Sequence, residues 1–344
     1  MRLFISLFVL AGILLLGGCD LLNGIDDFRK NEETNFSNGW FPEDPVNIEA
    51  LNTEWDDFNS NIPVIGKTID FYFSNNQNSQ GGQFDISNRQ IGAYFNYQDS
   101  IFNFSVGNTT SSYAFHLLPL INSQTDELGP FSFETDTIRK HSKWIFLYAN
   151  NNHDHFDIQF AYTFVSEWGG WDSQRKIYGP FSAPVLNSSK DDFYPTINKE
   201  QSKFYFSSNR DKTFSIYEVN ISEDDVVKWL QTGNEKPKLI KKLSSPHNDK
   251  CPYINGNLLV FASDSPAGYG GFDLWYSVFE NGDWSEPRNF GPRINTEFDE
   301  YRPAIQHFPD SNNDLMVFSS NRPGGKGGFD LYYTGISKMI HPDE

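Results

Sequence analysis

Carboxylates crowd two phrases of this chain. Trp284 to Tyr301 reads WSEPRNFGPRINTEFDEY, and Trp40 to Phe58 reads WFPEDPVNIEALNTEWDDF, each ending around an acidic pair. Asp56, Asp57, Asp191, Asp192, Asp249, Asp299 and Glu300 stand at such positions, while Asn209, Arg210, Asn321 and Arg322 belong to a recurring Ser-Ser-Asn-Arg phrase. Gathered on one face, these residues would form an acidic funnel able to bind a cation, a basic peptide or a glycan. Two carboxyls held at a set separation could instead hydrolyse a glycoside, but the chain has too many acids for sequence to choose the pair. The competing reading is structural: each carboxylate accepts hydrogen bonds from loop amides or pairs with the repeat arginine. Recurrence favours the structural reading, because packing repeats itself whereas a site breaks symmetry. The same reasoning gives Asp85, Asp157, Asp273 and Asp330, which follow repeated phenylalanines, a turn-stabilising role.

Other constellations are weaker. His153-Asp154-His155 could turn two imidazoles to one side of a strand, but no third ligand is evident, so a solvated loop is expected and no metal site. Ser173-Gln174-Arg175-Lys176 has the Ser-x-x-Lys spacing of some acyl-transfer enzymes without their companion motifs or helix. Trp168, Trp171, Trp229, Trp275 and Trp284 could stack on sugars, although such side chains more often fill the space between sheets. Gly-x-Ser-x-Gly, His-Glu-x-x-His and the Asp-box of sialidases are absent. No cofactor and no catalytic residue is assigned.

The elements that must position these residues are repeated. FSSNRPGGKGGFDLYY at 318–333 is echoed by FASDSPAGYGGFDLWY at 261–276, FSSNRDKTFSIYEV at 206–219 and FSNNQNSQGGQFDI at 73–86. Each copy reads as a strand, a turn and a second strand, and in all but the 206–219 copy the turn carries glycines expected to need positive φ. Phe206, Phe261 and Phe318 are 55 and 57 residues apart, which suits a four-stranded sheet and hence a propeller blade. Hairpins are expected to start near Ile69, Ile101, Trp144, Phe204, Leu258 and Leu315. The fold class is therefore all-β, a six-bladed β-propeller with five blades possible, since the Ile101 copy follows its predecessor by only about thirty residues. Too few residues follow the last hairpin to supply its outer strand. Val46 to Glu49 can supply it, removing two open edges.

Residues 40–336 resemble the WD-like β-propeller repeats of TolB type found in envelope proteins of Bacteroidota. The residues that carry the resemblance are Ser207-Ser208-Asn209-Arg210, Ser319-Ser320-Asn321-Arg322, Gly270-Gly271-Phe272-Asp273 and Gly327-Gly328-Phe329-Asp330. The resemblance implies a six-bladed ring and an interaction role.

At the other end, Arg2, the apolar run Leu3–Leu16 and Leu16-Gly17-Gly18-Cys19 look like a bacterial lipoprotein signal, too short to span a bilayer. By this resemblance Cys19 is lipidated. The chain divides into a signal peptide at 1–18, a flexible tether from Cys19 at 19–39, the propeller at 40–338 and a tail at 339–344. Cys251 is the other of two cysteines, so no intrachain disulfide is expected. A net charge of −18 argues against nucleic acid and against unaided adhesion to anionic lipid. Aromatics at 16% suit a β protein.

Together these features predict a monomeric, lipid-anchored propeller of the cell envelope, at the outer membrane. Its membrane contact is the Cys19 anchor, and its expected role is a non-catalytic scaffold holding an envelope protein or a cell-wall or glycan component. The alternatives are a glycan-binding accessory lipoprotein and a glycoside hydrolase.

Overall fold

The computed structural model describes residues 39–339 apart from 63, 66–67, 97–99, 108–109, 136–141, 153, 166–175 and 309–310. Cys19, the signal segment, His153, Ser173 to Arg175, Trp168 and Trp171 lie outside the described residues.

Five antiparallel sheets follow one another in sequence. Blade 1 comprises Asp57–Asn61, Thr68–Asn75, Asp85–Asn96 and Ile101–Val106; blade 2 comprises Glu127–Glu134, Lys143–Asn150, Asp157–Phe164 and Tyr178–Ser182. Blade 3 comprises Asp192–Ile197, Lys203–Ser208, Ser215–Asn220 and Lys238–Leu239. Blade 4 runs through Asp249–Asn255, Leu258–Ser263 and Asp273–Glu280, with an outer edge split between Asp283–Trp284 and Arg288–Asn289. Blade 5 is Glu300–Gln306, Asp314–Ser320 and Asp330–Ile336, completed by Val46–Asn47 from the N-terminal side. The fold is a five-bladed β-propeller. The second strands are almost wholly buried, as expected for sheets covered on both faces: Lys143–Asn150, Leu258–Ser263 and Asp314–Ser320 carry scarcely an exposed residue.

Five blades rather than six follow from the length of one strand. The third strand of blade 1 has 12 residues, and its far half, Ile91–Asn96, pairs with Ile101–Val106. The expected hairpin at Ile101 is thus the outer strand of blade 1. The polypeptide then enters the helix Ser112–Ile121, capped by Ser111, whose Tyr113, Ala114, Leu117 and Ile121 pack on Tyr72, Ile86, Trp144 and Phe146 between blades 1 and 2.

The N-terminal closure forms as expected. Val46 and Asn47 pair with Tyr333 and Tyr332, and Ile48 N–H donates to the Leu331 carbonyl at 2.9 Å. Phe41 tightens the seam: its amide and carbonyl both bond the Asn313 side chain at 2.8 Å, and its buried ring lies 5.0 Å from Phe102 of blade 1 and 5.2 Å from Phe308 of blade 5.

The paired glycines of the repeat serve two purposes. Positive φ, as expected, falls on Gly81 (+90°) of the first copy and Gly324 (+97°) of the last. Gly270 and Gly327 are needed because a Cβ there would strike the Thr296 carbonyl and the Trp55 carbonyl in the turns leading into the next blades. Close approach of neighbouring blades, not turn handedness, fixes them.

Candidate functional site

Each inner strand starts on a carboxylate: Asp57, Glu127, Asp192, Asp249 and Glu300. Its backbone amide donates to the carbonyl of the turn phenylalanine in the preceding blade: Phe329, Phe84, Phe156, Phe214 and Phe272, at 2.6 to 2.9 Å. These five bonds run once round the ring and close it. The residue before each carboxylate returns the contact, as Asp56, Asp126, Asp191 and Asp299 accept from the amides of Phe329, Phe84, Phe156 and Phe272 at 2.7 to 3.0 Å. Asn248 fills the same place toward Phe214.

A second set of bonds ties each inner strand to the hairpin of its own blade. Asn209 bonds Asp191 and Asn321 bonds Asp299, in both cases through amide oxygen and nitrogen together. Asn76 with Asp56 and Asn151 with Asp126 repeat the pattern, and in blade 4 it is inverted, with Asp264 opposite Asn248. Arg210 donates to Asp192 at 2.6 Å and to the Leu186 carbonyl, and Arg322 donates to Glu300 at 3.0 Å and to the Ile294 carbonyl. Each guanidinium also lies about 5 Å from two ring centroids. The structure therefore brings all the sequence-selected acids, asparagines and arginines to one face, where some join neighbouring blades and the others tie each inner strand to the hairpin of its own blade. Asp330 and Asp273 likewise accept turn amides from Lys326 and Tyr269 at 2.5 Å. Asp85 accepts from Asn78 and Gln83, and Asp157 lies 3.5 Å from His155.

The five strand-heading carboxylates are not equally held. Each accepts from a Ser or Thr four residues earlier: Thr53, Ser123, Ser188, Ser245 or Thr296. Four take a further bond from the second strand or its turn, from Asn75, Arg210, Ser263 and from Ser320 with Arg322. Among the described residues, Glu127 accepts only from Ser123. Burial pushes its carboxyl up to about 7, with the nearby charges of Asp85 and Asp126 adding to the effect. Asp57, on the neighbouring strand, is pushed up to about 6, again by burial, against the bonds from Thr53 and Asn75. Burial raises Asp249 and Glu300 as well.

Around the mouth of the ring the turn phenylalanines interleave with the second residue of each inner strand. Phe58 lies between Phe84 and Phe329 at 4.7 and 5.8 Å, Phe193 between Phe156 and Phe214 at 4.4 and 5.8 Å, and Tyr301 between Phe272 and Phe329 at 5.1 and 6.4 Å. Leu128 and Lys250 complete this aromatic collar, Lys250 Nζ lying 4.0 Å from the Phe214 centroid. Below it each inner strand bulges at its third residue, where φ is positive: Asn59, Gly129, Tyr194, Cys251 and Arg302. Arg302 is fully buried, sits 5.1 Å from the Tyr194 ring and reaches the Pro130 carbonyl at 3.1 Å, so the axis is filled with side chains. Burial lowers its pKa, and Cys251 beside it is pushed up to about 11 by burial.

Glu127, Asp126 and the collar were missed from sequence, although a signal existed. The phrase Asn-Ser/Thr-x-x-Asp-Asp/Glu occurs at Asn52, Asn122, Asn187 and Asn295, and Ser244 opens the divergent copy. Among the described residues no group of three His, Cys, Asp or Glu could hold a metal ion.

The site thus lies on a five-bladed propeller whose mouth combines an aromatic collar with strand-heading carboxylates. No protein-family model and no curated protein matches the sequence. Solved structures do. An endo-arabinase from Bacteroides thetaiotaomicron superposes with a TM-score of 0.51 at 12% identity, over 86% of this protein and 97% of that one. The protein BT0996, solved in a complex with RGII, gives 0.52 at 6% identity, over 89% and 94%. These likenesses support the β-propeller but not the TolB-type family. The expectation of a non-catalytic scaffold is corrected by the same comparison, in which one solved propeller of this shape is a glycan-cleaving enzyme, the endo-arabinase.

Proposed function

We propose that this protein is a carbohydrate-active propeller that takes a glycan at the aromatic collar and hydrolyses a glycosidic bond. It would be carried at the cell envelope by lipidated Cys19, as the apolar run Leu3–Leu16 and the sequence Leu16-Gly17-Gly18-Cys19, similar to a bacterial lipoprotein signal, suggest. The observation that carries the reading is the break in five-fold symmetry at Glu127. A carboxyl near 7 at the head of one inner strand and one near 6 at the head of the next divide into an acid and a base at neutral pH, which is the division glycoside hydrolysis requires. The proton donor is Glu127, the carboxylate Asp57, and the collar rings offer flat apolar faces to a sugar. Both carboxyls lie beneath their own turns, and the exposed turn residues Ser123 and Gln124 are the ones whose movement would uncover Glu127. The likeness to an endo-arabinase makes arabinan the first polysaccharide to try.

The test is reducing-sugar release from arabinan, xylan and other plant and wall polysaccharides. The wild type should release sugar with an optimum between about 6 and about 7, rising as Asp57 ionises and falling as Glu127 loses its proton. Glu127→Gln should remove at least about 99% of the rate, the loss expected of a general acid, while changing the melting temperature little. No release from any polysaccharide, or full activity in Glu127→Gln, would defeat the reading.

A further inference from the structure

A cavity of about 690 Å³ opens away from the collar. Its walls are the turn at Asn198–Lys203, which joins the first two strands of blade 3, the corresponding turn of blade 4 at Gly256–Asn257, and the outer hairpin at Asn281–Gly282. Connections alternate between faces along a blade, so these three turns lie on the face opposite the funnel.

The cavity exists because blade 4 breaks the repeat. Its third strand runs on to Glu280 and folds back through Asn281 and Gly282, both at positive φ (54° and 82°), to pair Phe279 with Trp284. No other outer edge among the described residues is split in this way. The extension holds Phe279 out at the rim, 40% exposed. Its ring is braced edge-on by Trp284 at 5.2 Å, which is braced in turn by Tyr205 at 6.0 Å. An exposed aromatic ring of fixed orientation beside a polar cavity offers a ligand an apolar platform.

The polar groups beside it define the ligand. Glu200 and Glu280 are exposed, and the cation in the lining, Lys203, is bound to Glu218 at 2.9 Å. Anions are therefore repelled. A neutral molecule with an apolar face and several hydroxyl donors matches: one face lies on Phe279 while its hydroxyls donate to the two carboxylates. We infer that this cavity is a second saccharide site, selective for neutral sugars, on the side of the ring away from the collar. It shares with the proposed function only the premise that the protein handles glycans, and it requires no catalysis.

The experiment is calorimetric titration of the full-length protein with neutral arabino-, xylo- and cello-pentaoses and with a pentagalacturonate. At least one neutral oligosaccharide should bind, Phe279→Ala should weaken that binding about tenfold or more, and Glu280→Gln should weaken it about threefold, with unchanged melting curves for both variants. Binding indifferent to both Phe279→Ala and Glu280→Gln, tighter binding of the galacturonate, or no binding of any neutral sugar would overturn the inference. Hydrolysis, read separately, decides the proposed function: sugar release lost in Glu127→Gln but kept in Phe279→Ala leaves that reading standing even when this one fails.

Discussion

The mouths of blades 5 and 2 carry the same residue in the same place and treat it differently. Glu300 accepts from Thr296 twice, from Ser320 and from Arg322, whereas Glu127 accepts only from Ser123 among the described residues. Blade 5 is also where the propeller must close on itself, through Val46–Asn47 and Phe41. A carboxylate with four donors is committed to holding the ring. Burial raises both carboxyls, but the one with a single turn behind it has fewer bonds to lose when it changes protonation state. The difference teaches that repetition in a propeller marks joinery, and that chemistry is to be sought where one copy is left incomplete.

The most severe break in this comparison is to open blade 5. A protein lacking residues 1–49 loses Phe41 and the strand covering Asp330–Ile336, exposing a sheet edge and an apolar cleft against blade 1. It should aggregate on size-exclusion chromatography or melt more than about 10 °C lower, whereas a protein lacking only residues 1–38 should melt like the full-length one. Equal melting of the two truncations would mean that the seam does not hold the ring. Next in size are the two glutamates themselves. Glu300→Ala leaves the Arg322 guanidinium beside unfilled donors and should cost about 3 kcal/mol, while Glu127→Ala should cost about 1 kcal/mol, since Ser123 is exposed and water can replace the carboxylate. Urea denaturation of both variants measures the contrast, and equal costs would erase the distinction between the two blades.

Much of this architecture is legible in the amino-acid order because it depends on near neighbours in sequence. The strand-turn-strand repeat, the recurring Asp and Arg phrases and the closing segment at Val46 could all be read locally. The blade count was less legible, since Ile101–Val106 has a strand's composition and only the length of Asp85–Asn96 reveals whose partner it is. Glu127 hid in a blade whose hairpin departs from the repeat. The axis was out of reach altogether. Arg302 meets Tyr194 from blade 3, Pro130 from blade 2 and Pro252 from blade 4, a neighbourhood created only when the ring closes.

The smallest effect expected is also the sharpest test of the idea that repeated contacts are joinery. In four blades an aspartate heads the inner strand's turn and an asparagine answers it; in blade 4, Asn248 and Asp264 have exchanged places while keeping both bonds at 2.7 Å. If the pair matters only as complementary donors and acceptors, its order is free. Asn248→Asp alone sets a second carboxylate against Asp264 and removes the side-chain donation, and should cost about 1 to 2 kcal/mol. Asp264→Asn alone loses the charge that strengthens the bonds and should cost about 1 kcal/mol. The double variant restores the order of the other blades and should return to within about 0.5 kcal/mol of the wild type, a coupling energy that independent sites do not give. Additive losses in the double variant would mean that blade 4 needs its carboxylate at Asp264 itself. The charge beside Lys250 would then belong to the collar's chemistry rather than to the joinery.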